Sequence, residues 1–346
     1  MLLKSLVLVN FRNYPRAQFA FSPGLNLILG PNASGKTNLL EAIYLLASGT
    51  SFRASKTSQL INWGQNQALV EAQLDQTRLK ITLERVDGRV KKRFWVDQRE
   101  KSRRQFLTLL TAIIFRPEEL RLLTGSPARR RRFLDQFLAP IDWSYRRALL
   151  AYEKARRRRN RLLEAISQGQ ARPQELFYWD QALAKNGEII RQKRVQFLEA
   201  VNRFLAQSQF SFWRLVYQPR PVTLARLQQQ LDNDLARGAT SLGPHRDDFY
   251  LWDERVSAPE KNLAYWGSRG QQRLAVLALK LAQINFIQTQ LNQTPILLLD
   301  DLFSELDQTS ASLVRAILSQ EGYQFCLTSA QETELNGLAN QVISLS

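Results

Sequence analysis

Apolar and polar residues alternate over 68–74, 78–85 and 91–97, three stretches of strand length, and Asp87-Gly88 between the last two is a hairpin signal. A period of two predicts an antiparallel layer with one buried face. Upstream, 2–9 and 18–21 read as two more strands joined by residues 10–15, and Pro23-Gly24 turns the chain into an apolar strand at 25–29. From Ser102 the spacing becomes helical. One helix opens after Pro127, and long ones are expected over roughly 143–168, 173–207 and 222–236, with Gly169 and Pro173 marking a turn. A helical hairpin of this size is an arm or lid. Residues 240–250 return to β character, and a Ser/Gly turn at 267–270 leads into a strongly apolar helix. Apolar runs at 112–115, 295–299 and 325–329 read as buried strands, with a helix at 308–319 and a last short strand closing at Ser346. The pattern predicts an α/β chain whose mixed sheet carries an antiparallel β-layer and whose middle is a helical insertion. The boundaries expected are 1–115 for a first lobe, 116–238 for an Arg-rich helical arm and 239–346 for the returning lobe.

Chemistry enters at Gly30-Pro31-Asn32-Ala33-Ser34-Gly35-Lys36-Thr37, which fits G-x-x-x-x-G-K-[ST] between the 25–29 strand and a helix at 38–46. Gly30 and Gly35 let backbone N–H groups turn inward around phosphate oxygens, and the helix N-terminus favours the anion. Lys36 is expected on the β- and γ-phosphates of ATP and the Thr37 hydroxyl on Mg²⁺. The run Ile296-Leu297-Leu298-Leu299 delivers Asp300 and Asp301 at the end of a buried strand. Asp300 suits the Mg²⁺ shell, and Asp301 is placed to orient or deprotonate the attacking water. Ser268, Arg269 and Gly270 open a helix and form a second anion-binding element, with Gln271 beside them. Arg12 lies in the first hairpin and is a candidate phosphate contact if that hairpin packs beside the loop. Phe11 and Tyr14 are either adenine-stacking residues or ordinary turn residues. His245, the sole histidine, reads as a structural hydrogen-bonder before a catalyst. The polar end of the 325–329 strand is placed to sense the γ-phosphate.

Charge narrows the partner. The chain carries a net +17, and residues 85–165 hold 23 Lys/Arg against nine Asp/Glu, an excess of 14. A localised excess of this size calls for a polyanion, nucleic acid ahead of an anionic membrane. Arg129, Arg130, Arg131 and Arg132, with Arg156, Arg157, Arg158 and Arg159, are the richest clusters and the candidate DNA contacts, although charge runs are usually solvated faces. The single cysteine, Cys326, excludes an intrachain disulfide and a Cys-based metal site, and suits a reducing cytoplasm. The apolar N-terminus lacks a cleavage site and reads as a first strand. No run is expected to reach the ~18–20 apolar residues of a membrane span.

The order phosphate loop, long insertion, Ser268-Arg269-Gly270-Gln271, then apolar strand with Asp300-Asp301 is similar to the ABC-type ATPases, whose signature reads Ser-Gly-Gly-Gln. Within them the chain resembles the RecF family of the SMC-like branch. The resemblance is carried by Asn10-Phe11-Arg12-Asn13-Tyr14, the phosphate loop, Gly49-Thr50-Ser51-Phe52-Arg53 and Phe115-Arg116-Pro117-Glu118-Glu119-Leu120. It continues through Gly125-Ser126-Pro127, Arg131-Arg132-Phe133-Leu134-Asp135, Gly243-Pro244-His245-Arg246-Asp247-Asp248, Ser268 to Arg273 and Leu298 to Asp307. It implies an ABC-type P-loop ATPase head with an inserted helical arm, and a head-to-tail homodimer in which each Ser268 completes the other subunit's ATP site. It further implies a cytoplasmic protein of recombinational repair and replication restart, binding DNA at single-strand/double-strand junctions when ATP-bound. Partners of the RecO and RecR type, help in loading recombinase and a weak, DNA-stimulated ATPase follow from it too. Asp301 stands where ABC ATPases in general have Glu, and Thr328 or Ser329 where they have His; both departures imply slow turnover. Two competing readings are the energy-coupling ATPase of a membrane transporter and a structural DNA protein that uses ATP only to dimerise.

Overall fold

The computed structural model describes residues 2–257, 261–320, 322–331 and 337–345. The chain divides into two compact units, one of residues 1–119 with 268–346 and one of residues 120–267. Residues 239–267, expected in the returning lobe, therefore belong to the second unit.

In chain order the first unit begins with β1 (Ser5–Phe11), β2 (Tyr14–Ala20), β3 (Gly24–Leu29) and α1 (Lys36–Ser48). It continues with β4 (Gln67–Gln73), β5 (Arg78–Val86), β6 (Arg89–Val96), β7 (Arg99–Lys101), α2 (Arg103–Phe106) and β8 (Ala112–Phe115). The period-two pattern does what it predicts: β5 turns Leu79, Ile81 and Leu83 inward and β4 turns Ala68, Val70 and Ala72 inward. Asp87 and Gly88 both have positive φ, +48° and +72°, as a type I′ hairpin requires. These strands form an antiparallel sheet in the order β2-β1-β4-β5-β6-β7.

The second unit holds α3 (Arg121–Thr124), α4 (Pro127–Ile141), α5 (Trp143–Ser167), α6 (Phe177–Gln207) and β9 (Trp213–Gln218). After them come α7 (Leu224–Gln229), α8 (Leu231–Arg237), β10 (Asp248–Asp253) and α9 (Leu263–Trp266). The long hairpin of α5 and α6 is present. The third expected helix is broken at Gln230 into α7 and α8, and β9, unforeseen in the sequence, pairs antiparallel with β10. This unit is thus mixed rather than wholly helical. Its centre contains arginines: Arg130, Arg159 and Arg194 are buried, each held by carboxylates.

The chain then returns to the first unit through α10 (Arg269–Leu291), β11 (Ile296–Leu299), α11 (Gln308–Leu318), β12 (Gln324–Ser329) and β13 (Gln341–Ser344). The strand expected to close at Ser346 ends at Ser344, and Ser346 itself lies outside the described residues. The apolar runs form a parallel sheet in the order β13-β3-β12-β11-β8. Helix α1 shares one core with both sheets: Leu39, Leu40 and Ile43 lie in the same cluster as Leu6 and Val70 from the antiparallel sheet and Ile28 and Leu298 from the parallel one. Contrary to expectation, α10 is long and apolar enough to cross a membrane by length and composition, but most of it is buried as a core helix of this unit.

The strand order positions the site. Strand β12 lies between β3 and β11, so the loop after β3, the acids after β11 and the polar end of β12 meet at the carboxyl ends of three adjacent parallel strands. Open α/β sheets bind ligands at this edge.

Candidate nucleotide site and basic surfaces

The phosphate loop is shaped by two close approaches. Gly35 caps α1 with φ +110°, and a Cβ there would lie 2.6 Å from the Tyr14 hydroxyl. A Cβ on Gly30 would lie 2.6 Å from Ser34 Oγ and 2.7 Å from the Leu345 carbonyl. Only glycine fits either place. Pro31, Asn32 and Ala33 form the exposed rim, with Ala33 at φ +69°. Ser34 Oγ is buried without a hydrogen-bond partner, a polar atom that a phosphate oxygen would satisfy. The Lys36 ammonium bonds the loop's own carbonyls at Gly30 and Pro31, 2.5 and 2.9 Å, which holds it against the loop.

The expected metal ligands converge. Thr37 Oγ1 lies 3.0 Å from both carboxylate oxygens of Asp300. Asp300 is almost wholly buried, and burial raises its pKa, opposed by hydrogen bonds from Thr328 and Thr37. One hydroxyl, one carboxylate and the phosphates of a nucleotide form the hard-oxygen set that Mg²⁺ prefers, so these residues fit that ion. Among the described residues there is no cluster of three or more His, Cys, Asp or Glu side chains that could hold a metal ion.

Thr328, at the polar end of β12 that is expected to sense the γ-phosphate, ties the two acids together. Its hydroxyl donates to Asp300 Oδ1 at 2.8 Å and accepts the Asp301 backbone N–H at 2.9 Å. Asp301 adopts φ +51°, an uncommon backbone for a non-glycine residue, and is exposed. Its carbonyl accepts from Arg273 Nη1 at 2.8 Å and its Oδ2 from the Ser304 hydroxyl at 3.0 Å. Held at both backbone ends, it presents its carboxylate at the strand edge beside Asp300. Thr328 and Arg273 were not identified as positioning residues in the sequence, because neither lies in the motif that it orients.

The signature turn is capped at the start of α10 and bonded to the segment that follows Asp301. Ser268 and Gln271 form a reciprocal cap: Ser268 Oγ accepts from the Gln271 N–H at 3.2 Å, and Gln271 Oε1 accepts from the Ser268 N–H at 2.9 Å. The position of a Gly270 Cβ would be 3.5 Å from Asp307 Oδ2. Arg269 and Arg273 both pair with Glu305, at 3.3 and 3.5 Å. The turn is therefore anchored to the segment after Asp301 and leaves Ser268 exposed on the surface.

Two sequence expectations need correction, those for Phe11 and Tyr14 and for the arginine runs. The hairpin does pack beside the loop, since Asn13 donates to the Ser34 carbonyl at 3.3 Å and accepts from Asn38 at 2.8 Å. Yet Phe11 is fully buried and Tyr14 nearly so, with burial pushing the Tyr14 phenol up to about 12; they are core, not stacking surfaces. Arg12 clamps Glu41 with two bonds of 2.7 and 2.8 Å and donates to the Gln59 carbonyl. Glu41 is fully buried on α1 and needs that countercharge, so Arg12 is engaged as a brace. The arginine runs divide by helix face. Arg130 is buried on Asp248, at 2.6 and 2.9 Å, and Arg159 is fully buried on Asp180 and Asp234 at 2.6 Å each. These two are structural. Arg131 and Arg156 are half-buried, and Arg129, Arg132, Arg157 and Arg158 are exposed.

His245 is a hydrogen-bonded structural residue: its Nδ1 lies 2.8 Å from the Tyr152 hydroxyl and its Nε2 3.0 Å from the Thr240 carbonyl. Burial lowers its pKa to about 4.

Comparison with known proteins agrees with this geometry. The RecF/RecN/SMC N terminal domain family matches residues 2–346. The DNA replication and repair protein RecF of Moorella thermoacetica is 36% identical, covering 99% of this chain and 93% of the relative. That of Ligilactobacillus salivarius is 33% identical, covering 99% and 94%. Among solved structures, the recombination mediator protein RecF with ATP, from the RecFOR pathway, aligns with a TM-score of 0.78 at 30% identity over 96% of this chain and 93% of that one. The Smc head domain of Pyrococcus furiosus aligns with a TM-score of 0.57 at 18% identity over 99% of this chain and 93% of that one, a likeness of fold.

Proposed function

The chain belongs to the RecF family of DNA repair and replication ATPases, and from that premise we propose that it is a cytoplasmic, ATP-switched homodimer that closes on DNA at single-strand/double-strand junctions. The observation that carries the reading is the meeting of Lys36, Thr37, Asp300 and Asp301 at one sheet edge, in a chain whose Ser268 is exposed at the start of a helix.

The loop amides and Lys36 bind the phosphates of ATP. Thr37 and Asp300 hold Mg²⁺, which neutralises phosphate charge when bound. Asp301 orients the attacking water, and Thr328 and Arg273 fix the backbone that carries it. Lacking the extra methylene of a glutamate, Asp301 reaches less far, which favours slow hydrolysis that DNA accelerates. Ser268 and the N–H groups of its helix meet the γ-phosphate held by a second copy, so ATP joins two chains. Joined, the basic surfaces contact phosphates without reading sequence. Mediator proteins of the RecO and RecR type then act with the closed dimer to load recombinase on gapped DNA.

Binding of gapped DNA with and without ATP at several salt concentrations tests this. The expected result is tighter binding with ATP and a steep fall with salt. Equal, salt-insensitive binding in both states would contradict it.

A further inference from the structure

A cleft of about 600 Å³ opens within the second unit between α4, α5 and the Pro244–Arg246 turn. Its wall includes Arg131, Arg132, Arg156 and Arg246, with Tyr152 and His245 beside them. The carboxylates that share the wall are already engaged: Asp135 holds Arg194 and the Tyr145 hydroxyl, and Glu153 holds Arg156 at 2.8 Å. Arg194 is matched in turn by Asp135 and Asp247. Arg132 and Arg246 are exposed and, among the described residues, have no carboxylate within ion-pair reach. Arg156 Nε is buried with no hydrogen-bond partner. Arg131, also in the cleft wall, donates to the Asp247 carbonyl at 2.9 Å. Burial and the nearby Arg194 cation lower its pKa, as expected where positive charges crowd.

We propose that this cleft seats a backbone phosphate of DNA, with the exposed Arg132 and Arg246 and the half-buried Arg131 and Arg156 as its contacts. The inference rests on the DNA-binding reading above and assigns that binding a place. The chemistry selects this ligand. Guanidinium groups match phosphate geometry through paired N–H donors. The aromatic residues of the wall are hydrogen-bonded to each other, Tyr152 being buried, so they offer no platform for a base. A site that offers charge and shape but no stacking surface contacts the backbone alone.

The test is binding of a gapped duplex to the full chain with ATP, between about 50 and 200 mM salt. Arg132→Glu and Arg246→Glu should each weaken binding by about tenfold, and together reduce the slope of log affinity against log salt by about two. ATP binding and the unfolding midpoint should stay at wild-type values. Arg158→Glu, an exposed arginine outside the cleft, is the control for net charge and should cost less than about threefold. Variants that bind like wild type, or that lose no more than Arg158→Glu, overturn the inference and leave the proposed function standing. So does loss of a polyglutamate peptide rather than of DNA. Failure of the wild-type chain to bind DNA at all removes the proposed function, and the inference with it.

Discussion

The Thr328 hydroxyl donates to Asp300 at 2.8 Å and accepts the backbone N–H of Asp301 at 2.9 Å, so one side chain sets the positions of both acids. Thr328→Val keeps the shape and removes both bonds. Steady-state turnover should fall about 10- to 100-fold, the usual loss for a group that orients a metal ligand, with ATP still bound. Thr328→Ser restores the hydroxyl and should recover most of the rate. Equal activity in the valine variant would show that the acids hold their places without it.

The exposed position of Ser268 yields a mixing experiment. Lys36→Ala and Ser268→Ala should each be inactive alone. In an equimolar mixture each mixed dimer has one of its two sites with both residues intact, so activity should return in part, to no more than about half of wild type, in a head-to-tail pair. No recovery would mean that Lys36 and Ser268 serve the same site from the same chain.

Adjacent arginines should behave in opposite ways. Arg159→Ala leaves the fully buried Asp234 without its cation and should cost about 3–5 kcal/mol in urea unfolding. Arg158→Ala, on the exposed face one position earlier, should stay within about 0.5 kcal/mol.

Stability should also carry the signature of His245. Burial lowers its pKa to about 4 in the folded chain, below the ordinary value of 6.5. Between these values the unfolded chain binds the proton first, so this contribution is complete above about pH 6.5 and is lost as pH falls toward 4, about 3 kcal/mol in all. The unfolding midpoint of the wild type should fall across this window, and His245→Gln should flatten that part of the profile.

What was legible in the sequence is what is set locally. The loop Gly30 to Thr37 and the acids that end β11 are contiguous, and the apolar runs around them name their strands. Ser268 as the N-cap of α10 was legible for the same reason, whereas its reciprocal bond with Gln271 is seen only in the structure. The polar end of β12 was legible as part of this edge, but the bonds from Thr328 to Asp300 and Asp301 were not, because β12 is inserted between β3 and β11 and strand order is not chain order. Arg130 and Arg159 looked like their neighbours in each run. The carboxylates that bury them, Asp248 and Asp234, lie 118 and 75 positions away, beyond any local pattern. Strand β9 was missed in the short stretch after α6, since its pairing partner β10 comes 30 residues later in register, as Asp248 opposite Gln218 shows.

Sedimentation velocity of the full chain, first alone, then with ATP and Mg²⁺, then with gapped DNA added, tests the central claim most directly. The chain should be a monomer that becomes a dimer on adding ATP and a heavier complex when DNA follows, and Lys36→Ala should not form homodimers. A chain that stays monomeric with ATP yet binds gapped DNA equally well in both states would contradict it.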